Sequence, residues 1–338
     1  MMTAKNNTQI QRQNILNNTL AIQKAKEHID ITGILYNSTY FFTTQQIADF
    51  YEVDLRTIKR VIENNRKELE ENGYHTLTGK ELSDFKKAMF EGRDIDVPTL
   101  KQTSTLSLST FRTVLNFAML LTQSDKAKEV RQKLLDIAMN SIAEKTGGNP
   151  TYINQRDSDY LTQAIKEETE RQKFTNALDK YVQGDKRKYG ILTNQIYVSI
   201  FKEKAHEYRD VLKLEKKDRT RQTMYSEVLL LIASFESGLA YELERAYNKK
   251  GEQLTIQQAK DLIYNFSRHP LQEPLITNAR KKMSSRDLGL RQALHQNLKE
   301  YLEPLTVEEF DKFIGEQSKS LEQQIQEHKD VFERLKDK

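Results

Sequence analysis

TTQQIADFYEVDLRTIKRVIENN, residues 43–65, followed by Arg66, is the stretch on which the fold turns. Its apolar residues recur at helical spacing and predict two helices, Thr44 to Glu52 and Leu55 to Glu71. Ala48 is small enough for the second helix to cross close above the first. Val53 is placed to plug the turn. The second helix would bury Leu55 or Ile58, with Val61 and Ile62, against Ile47 and Phe50 or Tyr51. Asp54 is positioned to cap it through the amide of Thr57, and Thr44 to cap the first helix in the same way. The ENG sequence at 71–73 ends the pair, with Gly73 just past the helix.

Burying that stripe leaves Arg56, Thr57, Lys59, Arg60, Asn64, Arg66 and Lys67 outward. Arginine can grip guanine with two hydrogen bonds, asparagine can grip adenine, and lysine neutralises phosphate. The second helix's N-terminus and the amides at Thr44 and Gln45 would suit phosphate oxygens. TQQIA, a short turn and then VDLRTIKR resemble helix-turn-helix DNA-binding domains, which implies duplex DNA as partner. One departure is Glu52, where many such domains carry glycine; it predicts a looser turn. A packing unit with a merely solvated basic face would use the same residues. Glu63, Glu68, Glu70 and Glu71 would repel a phosphate backbone unless they point away from it.

Working outward, residues 1–31 are rich in Asn and Gln with weak periodicity and predict a frayed or solvated helical extension. TGILYNSTYFFT (32–43) predicts a short hairpin around Asn37 and Ser38. YHTLTG (74–79) and LSLS (106–109) predict further short strands, with a helix near 80–90 and a loop over 92–105 between them. The run 106–137, LSLSTFRTVLNFAMLLTQSDKAKEVRQKLLDI, resembles the strand–helix–turn–helix part of phage antirepressor and Bro-type domains. The wider layout, a DNA-binding module before a long helical region, is similar to RhuM-type proteins of bacterial mobile elements. The resemblance covers residues 40–145. It implies transcription regulation by a prophage or genomic-island protein, and no catalytic residues. A plain helical hairpin with Phe111, Leu115, Leu120, Val130, Leu134 and Ile137 inside would bury the same positions. The resulting organisation is a DNA-binding domain over 32–145, a linker over 146–156 containing two glycines and a proline, a helical domain over 157–305 and an amphipathic helix over 306–338. No internal repeat is evident.

Composition sets the outer limits. Twelve glycines and five prolines in 338 residues leave few helix breaks, so the fold class is mainly α with a few short strands. The absence of cysteine excludes disulfides, thiolate metal sites and cysteine nucleophiles. No apolar run reaches 18 residues, and the N-terminus lacks the apolar core of a signal peptide, so a cytoplasmic location is expected. Fifty-three basic against 49 acidic residues permit nucleic-acid binding through a local patch without demanding it.

The second half offers less chemistry. Met224, Val228, Leu231, Ile232, Phe235, Leu239 and Leu243 define one apolar face of a helix over 220–247. Glu236 shares that face and needs a partner, for which RKKMSSR (280–286) is the nearest basic stretch. Thr306 and Glu309 form a capping-box pattern, and Ile314, Leu321, Ile325, Phe332 and Leu335 fall on the seam of a seven-residue repeat, with Ser318 and His328 as its polar positions. The basic clusters GDKRKYG (184–190) and KKDRTR (216–221) could extend a nucleic-acid contact. Arg286, Arg291 and His295 are similar in type to the Arg and His of helical RNase toxins, but their spacing is shorter. They give the alternative function, a nuclease or toxin effector carried by the helical half. No histidine pair has metal-ligand spacing and no phosphate loop occurs, so neither metal nor cofactor is implied. Homodimerisation is expected because one recognition helix gives limited affinity, and the helical half is available to a protein partner.

Overall fold

The computed structural model describes residues 4–90, 103–145, 153–155, 157–216 and 218–314. The protein is mainly helical with one small antiparallel sheet, and divides into two compact units, residues 12–141 and residues 142–338 with 1–11. Most of the expected loop at 92–105, nearly all of the linker at 146–156 and the seven-residue pattern beyond Ile314 lie outside the described residues. Among the described residues no helix is long and apolar enough to cross a membrane.

The unit of residues 12–141 is built on four strands in the order β1-β2-β4-β3: Ile34–Tyr36, Thr39–Thr43, Thr105–Thr110 and, at the far edge, β3 His75–Thr78. A two-residue turn joins β1 to β2, with Asn37 and Ser38 both left-handed at φ 47° and 62°. That geometry matches the twist of the flanking strands, which is why short polar residues occupy it. One face of the sheet carries α5 (Gly79–Phe90), whose Leu82 and Phe85 pack on Leu77, Leu106 and Leu108. The other carries α3 (Thr44–Phe50) and α4 (Leu55–Glu71), followed in sequence after β4 by α6 (Phe111–Leu120) and α7 (Asp125–Lys145).

Residues 12–31 are not a solvated extension. Helices α1 (Ala4–Asn17) and α2 (Thr19–His28) place Leu16, Ala25 and Ile29 in this unit's core. Their weak apolar pattern has a physical cause, since the buried side also carries Asn14, Asn17 and Asn18. Nearby polar groups pair internally: Arg12 grips Glu68 with bonds of 2.8 and 2.7 Å, and Arg112 donates to Asn72 (2.7 Å) and to Asn17.

A repeat unseen in the sequence lies at the centre of the sheet. Antiparallel neighbours β2 and β4 each end in a threonine, Thr43 and Thr110, that caps the following helix. Each short helix is followed by a turn, a capping residue (Asp54 or Ser124) and a longer helix. The two halves interlock. Tyr51 donates its hydroxyl to the Val114 carbonyl and Ser124 donates to the Tyr51 carbonyl, both at 2.7 Å. Thr110 and Thr113 donate to the Asn72 carbonyl at the end of α4 (2.9 and 2.6 Å). Gly73 follows at φ 98°, and a Cβ there would sit 2.5 Å from Thr110 Oγ1, so the position requires glycine.

In the second unit α8 (Tyr160–Tyr181) packs along α11 (Ser226–Lys250), with α9 (Arg187–Phe201), α10 (Ala205–Val211), α12 (Ile256–Ser267), α13 (Glu273–Arg286) and α14 (Val307–Ile314) around them. The whole apolar stripe expected on α11 is buried, although Met224 precedes the helix, which starts at Ser226 after a 3-10 turn at Thr220–Thr223. The capping box at α14 is formed, with Thr306 and Glu309 bonding reciprocally at 3.1 and 3.3 Å. Lys312 then ties α14 to Asp157 (3.0 Å) and Glu227 (3.2 Å).

Candidate nucleic-acid interface

Ala48 and Ile47 on α3 are fully covered, and Ile58 and Ile62 on α4 are buried with them. The close crossing that a small residue at position 48 allows is therefore realised. Asp54 accepts the Thr57 amide at 2.7 Å, and that bond holds its carboxyl below the usual range. The turn is tight rather than loose: Tyr51, Glu52 and Val53 donate their amides to Ile47, Asp49 and Ala48 at 3.0–3.2 Å. Glu52 achieves this at φ 53°, in the left-handed region where glycine is free of strain. Glu52→Gly is accordingly expected to stabilise the protein by about 0.5–1 kcal/mol, the strain relieved less the added unfolded-state freedom of glycine. A urea melt showing no gain would mean the turn relaxes around the glutamate at no cost.

Two capping expectations change. Thr43, not Thr44, caps α3, accepting the Gln46 amide at 3.2 Å while Gln46 Oε1 accepts the Thr43 amide at 2.9 Å. Thr43 and Gln46 carry the T-x-x-Q spacing of a capping box. Thr44 is half-buried, and the exposed Gln45 spends its side-chain amide on Asp49 (2.7 Å). At the N-terminus of α4 the Asp54 carboxylate occupies the position a phosphate oxygen would favour, so anion contacts fall to side chains.

Arg56, Lys59 and Arg60 are exposed, and none forms an ion pair with any described residue. They lie on one side of α4, opposite Ile58 and Ile62. Thr57 is half-buried, with its hydroxyl on Asp54 (3.2 Å), and Asn64 is exposed. Beyond it the helix breaks step at Asn65 (φ −134°, ψ 26°), whose amide donates to the Val61 carbonyl at 3.0 Å. Arg66 lies past that kink and is paired with Glu70 at 2.8 Å; Lys67 faces Glu71 at 4.0 Å. The acidic crowding is thus largely accounted for: Glu68 turns inward to Arg12, while Glu70 and Glu71 pair along their own helix. Glu63 is the exposed acid on the segment before the kink. On α4 ahead of the kink, Arg56, Lys59 and Arg60 are the exposed cations with no ion-pair partner among the described residues.

The corresponding helix of the second half-motif is different. Arg131 on α7 folds back to donate to the Ala118 and Leu121 carbonyls at 2.6 and 2.7 Å, and Glu129 lies within 3.1 Å of both Lys126 and Lys133. Arg131 ties this helix to the end of α6, and Lys126 and Lys133 pair along their own helix.

Arg286, Arg291 and His295 are buried among carboxylates. His295 lies between Glu203 (2.8 Å, through Nδ1) and Asp287 (2.7 Å, through Nε2), stacked on Tyr208. Burial opposes a charged imidazole, but bonds to the two carboxylates overcome it and push His295 up to about 9. Arg291 donates to Asn154 (2.7 Å) and faces Asp287, which also accepts the Tyr225 hydroxyl at 2.7 Å. Arg286 pairs with Glu227 and Glu309. Glu236 also differs from expectation: its partner is Arg221 (2.6 and 3.0 Å), from the 3-10 turn, rather than the 280–286 stretch. Of the basic clusters, Lys188 turns inward to the Val182 carbonyl and Arg187 pairs with Asp185, while Arg219 is exposed. Searches against protein-family models, curated proteins and solved structures found no match for this chain.

Proposed function

We propose that the chain binds duplex DNA by laying the first turns of α4 in the major groove, as a regulator of the helix-turn-helix kind. The observation that carries this reading is the contrast along α4 itself. Arg66 and Lys67 face Glu70 and Glu71, whereas the exposed Arg56, Lys59 and Arg60 have no ion-pair partner among the described residues. Cations left unpaired on a rigid, capped helix are available to phosphate oxygens and base edges. Two guanidinium groups one turn apart favour sites containing guanine. The nuclease alternative finds no comparable support, because the trio on which it rested is enclosed by carboxylates.

Selection of bound sequences from random duplexes by the full-length protein tests the proposal. Enrichment of a guanine-containing motif is expected, and a symmetric motif would further report pairing of two chains. If Arg56 and Arg60 read bases and Lys59 neutralises a phosphate, two phosphates per pair, affinity should fall with a log–log salt slope of roughly −2. A pool that stays unenriched through successive rounds would reject the reading.

A further inference from the structure

We infer that Glu63 is a specificity-determining residue of α4, which accepts a hydrogen bond from the amino group of a cytosine next to the guanines. The role rests on the reading of α4 as the DNA-contacting helix. Glu63 is exposed on the segment ahead of the Asn65 kink. It follows Arg56 by seven residues, Lys59 by four and Arg60 by three, so the helical repeat places it on the same side as all three cations. Ile58 and Ile62 turn the other side into the core. Lys59 precedes Glu63 at the spacing and in the order at which Arg66 reaches Glu70 (2.8 Å) and Lys67 faces Glu71 (4.0 Å) on this same helix. Glu63 nevertheless has no ion-pair partner among the described residues. Its carboxylate is available to a donor from outside the chain.

An acid on a face that meets DNA weakens general binding, because it repels phosphate. What it can gain is a donor on a base edge. In the major groove guanine presents N7 and O6, and thymine presents O4, all acceptors that a carboxylate repels. Adenine sets its amino group beside the N7 acceptor. Cytosine alone presents an amino donor with no acceptor of its own next to it. Elimination leaves cytosine. The spacing agrees: Glu63 lies about 4.5 Å along the helix axis beyond Arg60, little more than one base step of about 3.4 Å. A helix lying along the groove then sets the cytosine one step from the guanine that Arg60 grips. The same carboxylate excludes guanine and thymine from that step, so it selects by repulsion as well as by attraction.

Selection from random duplexes with the full-length parent, Glu63→Gln and Glu63→Ala provides the test, with the enriched sites measured by fluorescence anisotropy. The parent is expected to enrich cytosine beside the guanines and to bind it at least about fivefold more tightly than any other base at that step. Glu63→Gln should keep the guanines but exchange the cytosine for adenine, which glutamine grips through N6 and N7. Glu63→Ala should lose the preference at that step alone. Thermal midpoints should match the parent's, since the side chain is exposed and unpaired. A guanine motif without cytosine in the parent, or one whose cytosine survives both variants, would overturn this role and leave the DNA reading standing. So would variants that bind every duplex more tightly with all base preferences unchanged, because Glu63 would then only repel phosphate. A parent pool with no enrichment rejects the DNA reading itself, and the role of Glu63 with it.

Discussion

Asp287→Ala is expected to destabilise the C-terminal unit by about 3–5 kcal/mol, the range found when one partner of a buried ion pair is removed. Asp287 is fully buried and serves three groups at once: the imidazole of His295, the guanidinium of Arg291 and the hydroxyl of Tyr225. Desolvation alone would raise its carboxyl, but Arg291 and His295 outweigh that and hold it below the usual range. Without Asp287, Arg291 would remain buried with only neutral neighbours, Asn154, Tyr208 and the ring of Tyr225, and His295 would keep Glu203 as its one carboxylate. Denaturant unfolding followed at the tyrosines, together with hydrogen exchange across residues 200–300, would register the loss. A change below about 1 kcal/mol would mean that water enters the site and solvates the stranded cations.

The same cluster sets a pH dependence whose sign is fixed. His295 titrates near 9 when folded, above the ordinary value of 6.5. Its contribution is therefore fully present below about pH 6.5 and is lost as pH rises through about 9. The separation corresponds to roughly 3 kcal/mol. Subtracting the profile of His295→Gln from that of the parent chain isolates this group from the lysines and tyrosines that titrate at higher pH. The rest of the cluster is built to hold the imidazolium: Glu203 and Asp287 face its two nitrogens, and Tyr208 covers its ring.

Such a cluster could not be read from the sequence, and the reason is sequence distance. His295 meets Glu203 across 92 residues and Arg291 meets Asn154 across 137, so no local spacing announces either contact. Glu236 illustrates the same limit. Its need for a cation followed from its place on the apolar face of α11, but the choice of Arg221 over the 280–286 stretch depends on where the 3-10 turn lies. Local features fared better. Ala48, Asp54 and Gly73 could be assigned because a close crossing, a helix cap and a left-handed exit each demand a residue type within a few positions. The central repeat stayed hidden because its first helix spans seven residues and its counterpart ten. Paired positions such as Phe42 and Ser109 also share no side-chain character. The helical character of α1 and α2 is legible in the sequence but their burial is not, because the buried side carries the polar Asn14, Asn17 and Asn18.

Arg56→Ala combined with Arg60→Ala is expected to remove specific DNA binding while leaving the circular dichroism spectrum and the unfolding midpoint unchanged. Each bidentate contact to a guanine contributes about 1–3 kcal/mol of discrimination. Losing two would weaken specific binding by about 2–6 kcal/mol, roughly 30-fold to more than 10⁴-fold. Neither side chain supports the fold, since both are exposed and neither has an ion-pair partner among the described residues. Arg66→Ala is the discriminating control. It removes the same charge from the same helix, but Arg66 lies past the Asn65 kink and is already paired with Glu70. If recognition depends on guanidinium position, Arg66→Ala should change affinity by less than about threefold, the scale of an exposed ion pair. Equal losses from Arg66→Ala and Arg60→Ala would instead indicate diffuse charge attraction, with a response that tracks net charge rather than place. Full affinity in the double variant would remove α4 from the interface altogether.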